Sequence, residues 1–579
     1  MAPLALLSVT VLSACSAMNT LGPAGEPTPS VFQTRTVDLS RVSPSVTVIE
    51  IGRTGQGRPI RVLRVAGEGD VLPDHRPALL VVAGLDGDHR VGVDVALGLA
   101  QSLEADHADL LTTRTVYVVP GVNLDALAMH EQPDLPARSF NGTFTPDDAD
   151  RDGRVDEDGP EDINGDGVIS MMRVENPPPG SDLVAHWMLD PDEPRLLVKP
   201  DQKKGETGTH ALLVEGRDAD GDGSFVEDGV GGVSLDKNFP YRWPAWADGA
   251  GRYQLSEPET LSLANWMLSR DNIIAVLTFG PYDTLVKIPQ AGKKDATGHM
   301  TTGIEDDDKP EYEAISELFK DATGMTEAPT ADSGGSFRGW AYANFGVFSF
   351  STPVWVRPDL VELKEPPPED AEGAEGEADA DDETPSKPAK KKKSDDKKSD
   401  DAMWLAYSDE DRGGEGFIDW TEFDHPQLGK VEIGGFVPGF KLNPPDSEIE
   451  SLVAQQTRFV ADLLGKFPDI SVDGPIVERL DDEVWRISLR VRNDGFLPTR
   501  SASGVRARRI RPMIVFLELD DDHVIAGRRA TPIESIAGGD SHELEWTVMA
   551  TEGTPIVIRI DSPEFGERSL VVTVGEQER

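Results

Sequence analysis

The chain has 579 residues, 38% of them hydrophobic, and its 104 acidic residues against 56 basic ones give a formal net charge of −48. Because a single hydrophobic core stops growing near about 250 to 300 residues, this length predicts two folded domains with accessory segments. The charge argues against nucleic acid as a partner, since phosphates need a basic surface, and favours the binding of cations.

The N-terminus is a short apolar run that ends in small residues. Residues 1–15 read M-A-P-L-A-L-L-S-V-T-V-L-S-A-C, which is typical of a bacterial lipoprotein signal peptide and too short to span a bilayer. Leu12 to Cys15 match a lipobox, so Cys15, the only cysteine, is predicted to carry the lipid. An ordinary export signal or a misassigned start is the alternative, because the run lacks a basic residue before it. The sequence therefore predicts an exported protein, lipid-anchored in the bacterial cell envelope at the outer membrane or periplasmic face, with a flexible tether over residues 16–36.

The first folded domain is predicted over residues 37–467 and begins with strands that alternate with helices. Two β-rich runs lie between Val46 and Val65, a buried type of strand ends at Gly84, and a further strand is predicted over residues 115–120. A helical pattern covers residues 93–103. This alternation predicts an α/β sheet with its functional loops at the strand ends.

An Asp-rich insertion is predicted over residues 146–229. Three of its loops place Asp or Asn at alternate positions before a Gly, as the first half of an EF-hand does. The twelfth position counted from Asp162 is Arg173 instead of Glu, so further ligands could come from Asp156, Glu157, Asp158 or Asp228. Bound Ca²⁺ is predicted, and plain acidic surface loops are the alternative. The calcium candidates are Asp148, Asp150, Asp152, Asp156, Asp162, Asn164, Asp166, Asp218, Asp220 and Asp222.

The second half of the chain contains a low-complexity segment and, further on, a β-rich region. Residues 362–402 are of low complexity and are predicted to be a disordered, solvated insertion. A helical pattern over residues 447–464 closes the first domain. Residues 471–579 then show period-two alternation, as in Trp485, Ile487 and Leu489, which predicts a C-terminal all-β sandwich.

Five segments resemble, in the right order, motifs of the zinc carboxypeptidases, the carboxypeptidase A-like metallopeptidases. They are I-G-R-T-G-Q-G-R-P-I at 51–60, A-G-L-D-G-D-H at 83–89, P-G-V-N-L-D at 120–125, G-V-S-L-D-K-N-F-P at 232–240 and S-E-P-E-T at 256–260. The resemblance covers about residues 40–467. It implies a mixed sheet flanked by helices, with the site at the strand ends.

The residues that carry the chemistry in that family are replaced here. The family binds zinc through a His and a Glu of the first turn and a later His, and the corresponding positions hold Asp86, His89 and Leu277. The catalytic Glu corresponds to Pro353. The Asn-Arg pair that binds the substrate carboxylate corresponds to Asp236 and Lys237, so only weak, salt-sensitive binding of a chain end by Lys237 is expected.

The resemblance therefore predicts a degenerate, catalytically inactive member that does not bind the family's Zn²⁺. Such a pseudopeptidase would bind or scaffold a peptide or a cell-wall component. Two alternatives stay open: a divergent zinc-dependent metallocarboxypeptidase that hydrolyses peptides, and a calcium-stiffened surface adhesion protein that uses the β-sandwich for contact. The sequence predicts no oligomeric state.

Overall fold

The computed structural model describes residues 43–129, 158–179, 181–228, 231–298, 300–362 and 399–575. The predicted lipid acceptor Cys15 and tether lie outside these residues, as do most of the low-complexity insertion and the first acidic loop with Asp148, Asp150, Asp152 and Asp156. The predictions for those positions stay predictions.

The described strands and helices follow one another in this order. The strands are β1 (Val46–Arg53), β2 (Pro59–Val65), β3 (Ala78–Ala83), β4 (Thr115–Val119), β5 (Met171–Glu175), β6 (Met188–Leu189), β7 (Leu197–Val198), β8 (His210–Val214), β9 (Ile273–Phe279), β10 (Phe348–Thr352), β11 (Phe417–His425), β12 (Gly429–Phe436), β13 (Ile470–Asp481), β14 (Val484–Asn493), β15 (Met513–Glu518), β16 (Val524–Ala526), β17 (Ala530–Ile533), β18 (Ser541–Met549), β19 (Pro555–Ser562) and β20 (Gly566–Thr573). The helices are α1 (Arg90–Asp106), α2 (Leu124–Met129), α3 (Pro258–Leu268), α4 (Lys309–Thr323), α5 (Phe337–Trp340), α6 (Asp400–Asp411), α7 (Ile449–Leu464) and α8 (Ala502–Ala507).

A six-stranded mixed sheet in the order β1-β2-β4-β3-β9-β10 forms the centre of the first domain. Strands β4, β3, β9 and β10 run parallel, and β1 and β2 are antiparallel to their neighbours. Every residue of β3 and β9 is buried, as continuous apolar strands covered on both faces require. The carboxyl ends of β3, β9 and β10 therefore meet at one edge of the sheet, and this edge holds the candidate site. The predicted α/β mixed sheet is confirmed.

A second sheet, β11-β12-β5-β8, was not predicted. Its strands β5 and β8 come from the Asp-rich insertion, and β11 and β12 follow the low-complexity segment. The pairing of β5 with β12 joins these two parts of the chain in one sheet. A small apolar cluster that includes Met172, Val174 and Ile433 stabilises it. Helix α6 starts at Asp400, so the last residues of the predicted 362–402 insertion belong to a helix instead. Among the described residues, no helix combines the length and apolar character of a membrane span.

The C-terminal part is the predicted β-sandwich. Two antiparallel sheets, β13-β14-β18-β16 and β17-β15-β19-β20, bury the alternating residues Trp485, Ile487 and Leu489 between them. Helix α8 attaches this sandwich to the first domain: the Ala502 amide donates to Asp308 at 2.7 Å, and the Ser503 hydroxyl donates to the Tyr342 carbonyl at 2.7 Å.

Candidate functional site

The turn between β3 and α1 brings Asp86 and His89 to the carboxyl edge of the mixed sheet. Gly84 has φ +65°, and a Cβ there would lie 3.1 Å from the Gly121 Cα, so the turn needs a glycine. The Asn123 amide donates to the Gly84 carbonyl at 2.7 Å, and the His89 amide donates to the Asp86 carbonyl at 3.3 Å. These contacts hold Asp86 and His89 at the start of α1.

Both ring nitrogens of His89 face protein atoms. The Nε2 atom lies 3.1 Å from the Pro353 carbonyl oxygen, and the side chain is 1% exposed. Burial lowers the pKa of His89 to about 4, so the ring is neutral at neutral pH and Nε2–H donates to that carbonyl. The Nδ1 atom has no hydrogen-bond partner and faces Gly92, where an added Cβ would lie 2.8 Å from it. His89 is therefore packed as a buried residue whose ring nitrogens face protein atoms.

The side chain at the position predicted for the third metal ligand lies in the core. Leu277 is fully buried and belongs to the large hydrophobic cluster together with Phe279, on the same face of β9. Gly280, just after β9, is the residue that lies beside Asp86: an added Cβ there would be 3.8 Å from Asp86 Oδ2. The side chain that could complete a site with Asp86 is thus absent at Gly280, and the strand's alternation explains why Leu277 cannot supply it.

Pro353, at the position of the family's general base, follows β10 and contacts His89 through its carbonyl. Proline has no ionisable side chain, so it cannot take a proton from water. The next residue, Val354, has φ +67°, a conformation that β-branched residues rarely adopt. The chain makes a sharp turn here, next to the place where a base is needed.

The predicted substrate-binding pair is used in two separate contacts. Asp236 accepts hydrogen bonds from Arg338 at 2.9 Å and from the Phe337 amide at 2.8 Å, and burial raises the pKa of this carboxyl while Arg338 lowers it. Lys237 Nζ donates to the Asp248 carbonyl at 3.2 Å in an exposed loop. Sequence reasoning missed Arg338, because it lies about a hundred residues from its partner and no motif marks it.

Several charged side chains act on Tyr282 at this edge of the sheet. Burial raises the pKa of the Tyr282 phenol, and the carboxylates of Asp86, Asp236 and Asp88 raise it further, whereas Arg338 alone lowers it. Arg338 already pairs with Asp236.

A pocket of 350 Å³ opens beside His89 and Pro353. Trp355 and Trp404, both buried, line this pocket together with Lys441. Apolar walls with a few polar groups are typical of ligand sites, and this volume is within their usual range.

The two described acidic loops behave differently. In the loop from Asp162, the carboxylate accepts amide hydrogens from Gly165 and Gly167, and the Asn164 side-chain amide donates to Asp166 at 2.9 Å. In the loop from Asp218, oxygens of Asp158, Asp218 and Asp220 lie within 4.8 Å of one another. The same holds for Asp220, Asp222 and Glu227. Burial raises the pKa of Asp158, and that of Glu227 to about 7.

The residues at the sheet edge do not fit zinc. Zinc requires three protein ligands directed at one point, about 2.0 to 2.2 Å from each nitrogen or oxygen. Within the described part of the chain, Asp86 and His89 belong to no convergent group of three His, Cys, Asp or Glu residues. No reaction step through a metal follows from this arrangement.

Two family models match the sequence. One described as zinc carboxypeptidase matches residues 37–187 and 200–361. One described as a domain of unknown function (DUF8731) matches residues 469–573, the β-sandwich. No curated protein matches the chain.

Several solved structures are similar to the chain. Carboxypeptidase A from Helicoverpa armigera is 14% identical with a TM-score of 0.33, and the match covers 56% of this chain and 65% of that one. Bovine thrombin-activatable fibrinolysis inhibitor in complex with tick carboxypeptidase inhibitor is 12% identical with a TM-score of 0.35, covering 75% and 94%. Metallo-carboxypeptidase from Burkholderia cenocepacia is 14% identical with a TM-score of 0.29, covering 56% and 59%. The chain thus spans less than two thirds of the first and third of these structures.

Proposed function

Since the chain belongs to the zinc carboxypeptidase family, we propose that it is a member that no longer hydrolyses peptides and instead binds a ligand at the edge of its mixed sheet. One observation carries this proposal: the residue that lies beside Asp86 just after β9 is Gly280, which has no side chain to complete a metal site. The surroundings of His89 support it: Nδ1, the ring nitrogen not bonded to the Pro353 carbonyl, faces Gly92, and Asp86 and His89 form no convergent group with a third ligand among the described residues.

The charges at the edge of the sheet suggest which ligand binds. Three carboxylates, Asp86, Asp88 and Asp236, act on Tyr282 against one guanidinium, so a neutral or cationic segment of a peptide fits better than a free C-terminus. The pocket lined by Trp355 and Trp404 offers an apolar surface for such a segment. In this proposal Lys237 is a surface lysine, because it already donates to a backbone carbonyl.

The location of the protein is part of the same proposal. With a lipid on Cys15 and a tether over residues 16–36, the folded part would be held close to a cell-envelope membrane. A Cys15→Ser protein should then lose its lipid and leave the membrane fraction. Normal membrane fractionation of that variant would contradict the anchor and leave the proposal on catalysis untouched.

The test of lost catalysis measures zinc and activity together. Purified protein, incubated with zinc and dialysed, should retain no stoichiometric zinc and should release no C-terminal residue from peptides. An active zinc carboxypeptidase treated in parallel provides the control for both assays. One zinc per chain together with chelator-sensitive release of C-terminal residues would overturn the proposal.

The test of the ligand class compares one peptide with a free and with an amidated C-terminus. Binding is followed by calorimetry, and the amidated form should bind at least as tightly as the free form. Tighter binding of the free form that is lost in Lys237→Ala would show instead that Lys237 anchors a chain end.

A further inference from the structure

The acidic loop after β8 is folded by its own hydrogen bonds. Asp218 accepts amide hydrogens from Gly221 at 2.6 Å and from Gly223 at 3.1 Å. Asp222 accepts the Ser224 amide at 2.6 Å. These bonds explain the shape of the loop, and they occur in acidic turns without an ion, so they do not identify a binding site.

Asp158 supplies the independent observation. It lies sixty residues before the loop and is only 1% exposed. Its Oδ1 accepts the Ala219 amide at 2.5 Å, but its Oδ2 is buried without any hydrogen-bond partner. The Glu227 carboxyl interacts with Asp158, but a second acid brings no positive charge, so burial of this oxygen stays costly. A ligand atom of Asp158 lies within 4.8 Å of those of Asp218 and Asp220, so Asp158 completes a cluster from a distant segment.

Glu227 resembles Asp158 in having a buried carboxylate oxygen close to this loop. Its Oε2 is also buried without a partner, and its ligand atom lies within 4.8 Å of those of Asp220 and Asp222. Asp220 therefore belongs to both groups of three. Among the ion pairs between described residues, none joins a lysine or arginine to these five carboxylates, so no side-chain cation balances their charge there.

We propose that a calcium ion binds at Asp220, held by the carboxylates of Asp158, Asp218, Asp220, Asp222 and Glu227. Calcium takes six to eight oxygen ligands at about 2.3 to 2.6 Å, and carboxylates on a flexible loop supply them. Magnesium demands near-ideal octahedral geometry and keeps several waters, and zinc prefers nitrogen and sulfur. The all-oxygen, charge-rich composition of this cluster selects calcium.

The ion would hold the second sheet together. The loop packs on that sheet through Phe225, whose ring centroid lies 5.8 Å from that of His425 in β11. His425 Nε2 lies 3.1 Å from the Gly216 carbonyl, just before the loop. Calcium at Asp220 therefore links the segment that starts at Asp158 to the end of β8 and, through this packing, to β11.

The loop from Asp162 provides a matched control within the same molecule. It has a similar sequence, but its described carboxylates belong to no convergent group, and Glu215 accepts the Ile163 and Asn164 amides instead. Asp166 is exposed, and its Oδ2 accepts a hydrogen bond from Asn164. Asp166→Asn should therefore leave the proposed calcium site unchanged.

The experiment is calorimetric titration of calcium chloride into the chelator-treated, dialysed full chain. The wild type should bind calcium with a rise in its thermal midpoint, and Asp220→Asn should weaken the affinity at least tenfold, whereas Asp166→Asn should not change it. Absence of binding by the wild type, equal binding of magnesium, or unchanged affinity in Asp220→Asn would overturn the proposal. The calcium and magnesium titrations use wild-type protein, so they can overturn the proposal even if Asp220→Asn fails to fold.

Discussion

The turn after β3 and the turn after β8 both carry side chains with which proteins bind metals, and they differ in how those side chains are arranged. The turn after β3 has the family's zinc frame, but His89 is packed against the Pro353 carbonyl, and Gly280, next to Asp86, has no side chain. The turn after β8 is unrelated to that frame, yet the buried carboxylates of Asp158 and Asp218 converge there with that of Asp220. The comparison shows that a metal site requires ligand atoms that converge on one point, and that suitable residue types alone do not make one.

The largest expected effect comes from rebuilding the first region. Asp86→His, His89→Glu and Gly280→His together should create a three-ligand site and raise zinc affinity by about 1000-fold, or about 4 kcal/mol. Peptide hydrolysis should stay absent, since Pro353 still replaces the base. Zinc titration monitored by calorimetry measures the gain.

The control for these substitutions places the third histidine at Leu277, the position that the sequence predicted for the third ligand. The same first two substitutions with Leu277→His in place of Gly280→His should gain no zinc affinity, because that side chain points into the core. Equal zinc binding by the two triple variants would contradict the placement of Gly280 beside Asp86.

The second effect depends on pH and tests whether His89 is a core residue. Its pKa is lowered from 6.5 to about 4 in the folded protein, so on acidification the unfolded chain takes up the proton first. The stabilisation is complete above pH 6.5 and is lost as the pH falls toward 4. At about 1.4 kcal/mol per pKa unit, this amounts to about 3.5 kcal/mol.

Urea unfolding of the wild type and of His89→Gln between pH 7.5 and 4 isolates this contribution, since all other groups titrate in both proteins. The free energy of unfolding of the wild type should fall more steeply than that of the variant. Parallel curves would show that His89 reaches solvent in the folded state.

A smaller effect tests the packing of the His89 ring. Gly92→Ala places a Cβ 2.8 Å from His89 Nδ1 and 3.0 Å from the Phe279 carbonyl, which should lower the free energy of unfolding by about 2 kcal/mol despite the helix preference of alanine. Gly159→Ala is the control, because nothing lies within 4 Å of its added Cβ. Equal stability of the two variants would mean that the ring does not occupy this place.

The smallest effect concerns the second region and changes sign with calcium. Asp158→Asn removes one of several crowded negative charges, so without calcium it should raise the free energy of unfolding by about 1 kcal/mol. With saturating calcium it should lower that free energy by a similar amount, because a ligand is lost. Thermal unfolding with calcium and with a chelator measures both signs, and the same sign in both conditions would speak against the site.

The sequence predicted the fold well because its signals are local and ordered. Continuous apolar strands, period-two alternation around Trp485 and five motifs in family order lead to the mixed sheet and the sandwich. The second sheet escaped prediction because the pairing that joins its two halves, between β5 and β12, links segments more than two hundred residues apart.

The site was harder to predict because it depends on side-chain direction and on distant partners. A match to the triplet Thr278-Phe279-Gly280 pointed to Leu277, although the alternation along β9 already places Leu277 and Phe279 on one buried face. Asp158 was only one of several open alternatives as a ligand, and Glu227 was missed. No spacing rule brings a residue sixty positions away into a loop.

The contact between the sandwich and the first domain determines how the protein unfolds. The largest hydrophobic cluster runs without a break from Val81 in the mixed sheet to Trp485 and Val515 inside the sandwich. Each domain therefore loses part of its own interior when the other opens, and the two should melt in one cooperative transition. A protease that cuts the chain between α7 and β13 should accordingly leave two fragments that remain associated until both denature.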